Sequence, residues 1–252
     1  MPRAICPWRL LVVPHYVPHF DWSERALALR QFNYEHWCEH GHGPNLRDVH
    51  ENLGYTRVEI VQTYKELALG IACTIDPDSQ NCPVLRFQPF ASFPTQVKAF
   101  VDGRFHSYAG CAMEAVAFSN MPPFRDREVR FESYCMCCLA PIGFAAVNGE
   151  FSEQPHSVFV HVSTSPVDWY NNDLMIQCDS MNFVIDAEHA DRFEKQACRR
   201  GVMFTLDQAK TFVSAAVGER MWNTNKPTER MDPAVVIAAV ASLGVDVTNW
   251  GG

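Results

Sequence analysis

The sequence predicts an α+β chain: an N-terminal three-helix, winged-helix-like unit followed by a mixed α/β core with antiparallel strands. Three observations carry that expectation. Three capped helical runs follow one another between residues 23 and 70, and two short β-rich stretches come next around a cluster of turn formers. The second half then mixes cleanly alternating segments with capped helices. The expected organisation is an irregular arm over 1–22, a helical winged-helix-like domain over 23–100, a core over 101–222, and a tail with a short helix over 223–252.

In the arm, Pro2, Pro7, Pro14 and Pro18 interrupt any regular element. Ser23 then caps "ERALALRQFNYEHWCEHG", and Gly41 ends it. "PNLRDVHENLG" puts Leu46, Val49 and Leu53 on one stripe and closes at Gly54. "TRVEIVQTYKELALG" opens with a Thr56-x-x-Glu59 capping box and closes at Gly70. "IACTI" and "VLRF", separated by "DPDSQNCP", read as a hairpin, so the order is that of a winged helix. The third helix sets only Arg57 and Lys65 against Glu59 and Glu66, which favours a structural unit over a DNA-binding one.

Past Pro89 and Pro94 the character changes. "VDGRF" reads as a hairpin turning at Asp102-Gly103, and a helix carrying Cys111 ends before "NMPPF". "EVRFESYC" alternates Val129, Phe131 and Ser133 against Arg130, Glu132 and Tyr134, a half-buried strand; "HSVFVHVS" is another. Thr205-x-x-Gln208 caps "LDQAKTFVSAAVGERMW", and Asp232-Pro233 opens "AVVIAAVASL", stopped by Gly244.

Composition narrows the function classes. Of 252 residues, 47% are hydrophobic and 20% charged, as in an ordinary globular protein with ample core. Lys plus Arg is 21 against 29 Asp plus Glu, a net charge of −8, so neither nucleic acid nor an anionic membrane is an expected partner. The chain lacks an apolar run long enough to span a bilayer, and its opening lacks the h-region and cleavage site of a signal peptide. Ten cysteines without a secretory signal point to reduced thiols in the cytoplasm, and to thiol or soft-metal chemistry. No G-x-S-x-G, P-loop or G-x-G-x-x-G is present.

The chemistry-bearing residues are few. "HSYAGCAMEAVAF" places Cys111 and Glu114 three residues apart, on one face of a helix. Cys178 follows strand-like residues in "NDLMIQCDSMNFV", with Asp179 as a second carboxylate beside it. "YCMCCLAP" contains a C-x-x-C with no second pair to complete a zinc site, and a continuing strand would turn Cys135 and Cys137 to one side and Cys138 to the other. Cys6, Cys38, Cys73, Cys82 and Cys198 read as small buried hydrophobes. His40 and His42 read as a solvated helix cap without a companion ligand, and His161 as a partly buried strand histidine.

The run "RFHSYAGCAMEAVAFSNMPPF" resembles the catalytic segment of the organomercurial lyases, the alkylmercury lyase family. The shared pattern is a short hairpin, an aromatic residue, Cys-Ala-x-Asp on a helix, and a proline shortly after. "SYCMCCLAPI" resembles that family's cysteine-bearing strand, and "DWYNNDLMIQCDSMNFV" its second catalytic cysteine segment. The N-terminal helices with their wing are similar to the helical domain that precedes the lyase core, so the resemblance runs from about Ser23 to Trp222.

The resemblance implies protonolysis of a carbon–mercury bond, giving a hydrocarbon and Hg(II), a detoxification reaction. Cys111 and Cys178 would bind the mercury and Glu114 would shuttle the proton, while Cys135 would be structural. No cofactor would be required; Hg(II) would leave the thiolates for low-molecular-weight thiols or a mercuric reductase. One departure stands out: Glu114 occupies the family's aspartate position and reaches about 1 to 1.5 Å further. Two alternatives therefore stay open. One is a divergent lyase-fold enzyme acting on a small organic substrate, with copper at the two thiols. The other is a non-catalytic thiol protein that sequesters soft metal or regulates in response to it.

Overall fold

Three capped helices open the chain in the computed structural model, which describes residues 21–70, 72–76, 79–81, 83–148, 150–154, 157–169, 174–216 and 232–251. Helix α1 (Glu24–His40) starts where the Ser23 side chain accepts the Ala26 N–H, and ends at Gly41 in the left-handed region, φ 74°. A Cβ at Gly41 would also overlap the His106 carbonyl oxygen, so glycine serves both the turn and the close approach. Capping boxes open α2 (Leu46–Leu53; Asn45 with Asp48) and α3 (Arg57–Leu69; Thr56 with Glu59).

Behind the helices runs an eight-stranded antiparallel sheet in the order β1-β2-β3-β5-β4-β6-β7-β8. Its strands are β1 (Cys73–Ile75), β2 (Val84–Phe87), β3 (Phe90–Ala91), β4 (Val97–Val101), β5 (Arg104–Ala109), β6 (Val129–Tyr134), β7 (Pro141–Val147) and β8 (Glu150–Gln154). The β1–β2 hairpin forms as the sequence predicts. It continues through β3 to β5, however, so it is the edge of the large sheet rather than a free-standing wing. Edge-to-face packing of Tyr34 on Phe87 (4.9 Å) and parallel stacking of Trp37 on Phe90 (5.1 Å) fasten α1 to this edge. The β4–β5 turn has positive φ at both Asp102 (49°) and Gly103 (77°), the geometry that matches strand twist.

A second sheet, β10-β9-β11, joins β9 (Phe159–Val162), β10 (Met181–Val184) and β11 (Val202–Thr205). Around it lie α5 (Pro166–Trp169), α6 (Leu174–Asp179), α7 (Ala187–Ala197), α8 (Leu206–Ala216), α9 (Pro233–Ser242) and a 3-10 turn at Thr248–Trp250. Helix α4 (Ala112–Phe118) is buried along its whole length and packs against β5, β10 and α8, so it sits between the sheets. Phe118 stacks on Phe124 at 4.4 Å, Phe131 on Phe144 at 4.9 Å, and Phe144 meets Phe183 edge-on at 5.4 Å, which carries one aromatic core across both layers.

Three local expectations change. Cys111 is the residue before α4, not within it: its backbone is extended (φ −159°, ψ −178°), as an N-cap must be. Cys178 lies on helix α6 instead of following a strand; a short apolar run such as "LMI" has no periodicity to separate the two. Strand β6 ends at Tyr134, and the Cys135 carbonyl accepts the Leu139 N–H at 2.8 Å, so Cys135–Cys138 turn rather than alternate. Cys135 is fully buried, Cys137 half-buried and Cys138 exposed. The arm through residue 20, Cys6, Cys82, positions 170–173 of the second cysteine segment, and 217–231 with the expected boundary at 222 lie outside the described residues.

Candidate active site

The site begins where β5 runs out. Gly110 donates its N–H to the Pro89 carbonyl at 2.8 Å, and the next residue, Cys111, caps α4. Sulfur here does the work that oxygen does in a serine cap: Cys111 Sγ accepts the Glu114 N–H at 3.4 Å. Glu114, in the first turn, folds its carboxyl back over Gly110, where any Cβ would overlap Oε2. Glycine is therefore required at 110 for the carboxyl to lie where it does.

From the other side, α6 brings in Cys178, whose S–H donates to Glu114 Oε2 at 3.4 Å. The ligand atoms of Cys111, Glu114 and Cys178 all lie within 4.8 Å of one another. Among the described residues this is the group of three acidic, histidine or cysteine side chains placed to share an ion. Two metal–thiolate bonds of about 2.3 Å span such a separation, and thiolate is the donor that soft metals prefer. Cys111 also points its S–H at Met181 Sδ, 3.9 Å away.

Burial decides the electrostatics, since Cys111, Glu114 and Cys178 are 1%, 6% and 2% exposed. Burial pushes the Glu114 carboxyl up, against the pull of the Arg86 charge and of hydrogen bonds from the Cys178 and Cys111 thiols. Burial likewise raises the Cys178 thiol, reinforced by its hydrogen bond with Cys111 and by the negative charges of Glu114 and Cys111; Arg86 opposes the rise. A buried thiol hydrogen-bonded to a carboxyl group has a short path for its proton when a soft cation takes the sulfur.

The other candidates fall elsewhere. Asp179 turns to Arg86, pairing through Oδ1 with Nη2 at 3.0 Å, and stays 66% exposed. His40 and His42 do have a companion, His36, with ring centroids 4.4 and 5.2 Å from it. The Nδ1 atoms of His36 and His42 are nonetheless engaged with carbonyl oxygens. His161 is wholly buried and pairs with Glu194 at 3.0 Å. Sequence reasoning missed Gly110, Met181 and Arg86. The signal for Gly110 was its place directly before the cysteine. An arginine in the short strand "VLRF" signals nothing until the tertiary structure is known.

The family model for alkylmercury lyase matches residues 90–218, just over half of the chain and inclusive of all three site residues. The chain belongs to the alkylmercury lyase family. Its fold is also that of a solved alkylmercury-lyase-type structure, the mercury-bound form of MerB2. That structure has a TM-score of 0.64 and 18% identity, over 81% of this chain and 93% of that one. No curated protein sequence matches the chain. Within this alkylmercury lyase fold, no helix among the described residues is long and apolar enough to cross a membrane.

Proposed function

We propose that the protein is an organomercurial lyase in which Cys111 and Cys178 take the mercury and Glu114 carries the proton. The observation that carries this reading is the meeting of two thiols and a carboxyl within 4.8 Å, inside the segment that matches the family. One thiol displaces the ligand X of R–Hg–X and its proton leaves as HX, forming a sulfur–mercury bond. The second thiol binds the same mercury and passes its proton to Glu114, for which the 3.4 Å Cys178–Glu114 hydrogen bond provides the path. Two sulfur donors push electron density toward carbon. Glu114 then protonates that carbon as the carbon–mercury bond breaks. The hydrocarbon departs, mercury stays Hg(II) on two thiolates, and Glu114 ends as carboxylate, so no cofactor is required.

Hg(II) then passes to low-molecular-weight thiols or to a mercuric reductase, and the whole constitutes detoxification. Cys38, Cys111, Cys135, Cys137, Cys138 and Cys178 are free thiols, which suits the reducing environment of the cytoplasm. The deciding experiment incubates purified protein anaerobically with methylmercury and excess thiol, following methane by gas chromatography. Wild type is expected to release methane, and Cys111→Ala, Cys178→Ala and Glu114→Gln are expected not to. Stoichiometric metal bound through both cysteines without methane would overturn protonolysis in favour of a soft-metal-binding protein.

A further inference from the structure

Arg86 stands on β2, ahead of the segment that matches the family, and its side chain is 4% exposed. Its Nη2 donates to Asp179 Oδ1 at 3.0 Å, and the guanidinium lies 5.3 Å from the Phe93 ring centroid. Nε and Nη1 are buried and have no hydrogen-bond partner among the described residues. Unmet donors on a buried cation are costly, and beside a reaction site an incoming acceptor would offset that cost. The guanidinium borders the site: it pairs with Asp179, the residue after Cys178, and its charge opposes the rise of the Glu114 carboxyl and the Cys178 thiol. Glu114 Oε1, also buried, is an acid oxygen that has no hydrogen-bond partner among the described residues.

The organic group of the substrate must lie beside Glu114, because the proton travels from that carboxyl to its carbon. Arg86 reaches the same region, since its partner Asp179 is the residue that follows Cys178. We propose that Arg86 is a substrate-binding residue that takes a carboxylate carried on the organic group, so that the enzyme favours anionic organomercurials over neutral ones. This rests on the lyase reading given above. Asp179 neutralises one arm of the guanidinium from the solvent side; Nε and Nη1, which lie on different edges, each leave a donor that one oxygen of an incoming carboxylate would accept from.

The test pairs 4-(hydroxymercuri)benzoate with phenylmercuric hydroxide, which differ by one carboxylate. 2-Mercaptoethanol, a thiol without a carboxylate, is present throughout. Benzoate and benzene release are measured for wild type, Arg86→Met and Arg86→Lys. In Arg86→Met the KM for the benzoate compound is expected to rise about tenfold or more with kcat nearly unchanged, and the values for phenylmercury to stay put. Arg86→Lys, which keeps the charge, should fall between. The overturning result is a change in both substrates alike, or in neither.

A second assay does not need turnover: equilibrium capture of each compound in competition with the thiol. If wild type cleaves neither compound, the lyase reading fails. Arg86 is then judged by capture alone, where a wild-type preference for the benzoate compound that Arg86→Met abolishes supports the proposal and equal capture sinks it. Should Arg86→Met lose its near-UV circular dichroism, it has unfolded, and the same comparison on Arg86→Lys decides.

Discussion

Glu114 shows how much one methylene demands of its surroundings. Glutamate reaches further than aspartate, and the added length is absorbed by folding the carboxyl over Gly110, which leaves Oε2 within 3.4 Å of the Cys178 sulfur. The departure from the family's aspartate therefore does not take the carboxyl away from the thiols. Gly110→Ala tests this directly. Its methyl group would overlap Oε2 and push the carboxyl off the site while β5 and α4 keep their own hydrogen bonds. Methane release is expected to fall roughly tenfold to a hundredfold, a loss of geometry rather than of chemistry. Near-UV circular dichroism should be unchanged, and full activity in the variant would mean that the position of Oε2 does not matter.

Among the elements, α4 is the one on which the site depends. It is a short helix, too short to persist alone, and it is held because every residue from Ala112 to Phe118 is buried between the sheets. Phe118 anchors its far end, stacking on Phe124 and meeting Phe90, His106 and Phe131 edge-on. Phe118→Ala leaves a cavity in that cluster and is expected to cost about 3 to 5 kcal/mol of stability in urea unfolding. A cost under about 1 kcal/mol would show that the cluster collapses around the gap. The capped N-terminal helices were legible because their signals are local: Ser23, Asn45 and Thr56 each accept a backbone N–H from their own first turn. Strands β10 and β11 were not read, and both pair with β9, a strand well removed in sequence; β7, β8 and α7 were missed although β7 and β8 form a tight hairpin and Asp186 caps α7 locally.

For the molecule as a whole, burying Glu114 links stability to pH. Its folded-state value is raised above the ordinary 4.5, so between 4.5 and the raised value the folded chain holds a proton that the unfolded chain has lost. The folded state binds more protons there, and unfolding free energy falls as pH rises through that window. Urea unfolding of wild type and Glu114→Gln from pH 4 upward should show the variant gaining on wild type as pH rises. Parallel curves would mean that the carboxyl ionises freely in the folded chain.

The sequence by itself determined the starts and stops of the three N-terminal helices, the Asp102-Gly103 turn and the alternating face of β6, because each is set by residues within a turn or two of one another. It also carried the identities of Cys111, Glu114 and Cys178, through a resemblance in their local patterns. Only the tertiary structure decided that these three meet, since Cys178 is 64 residues from Glu114 and arrives on a different layer. It likewise turned the β1–β2 hairpin into a sheet edge, sent Asp179 to Arg86 rather than to the thiols, and set Arg86, 93 residues away from Asp179, against the site. Such placements depend on packing between distant elements, and local spacing has no hold on them.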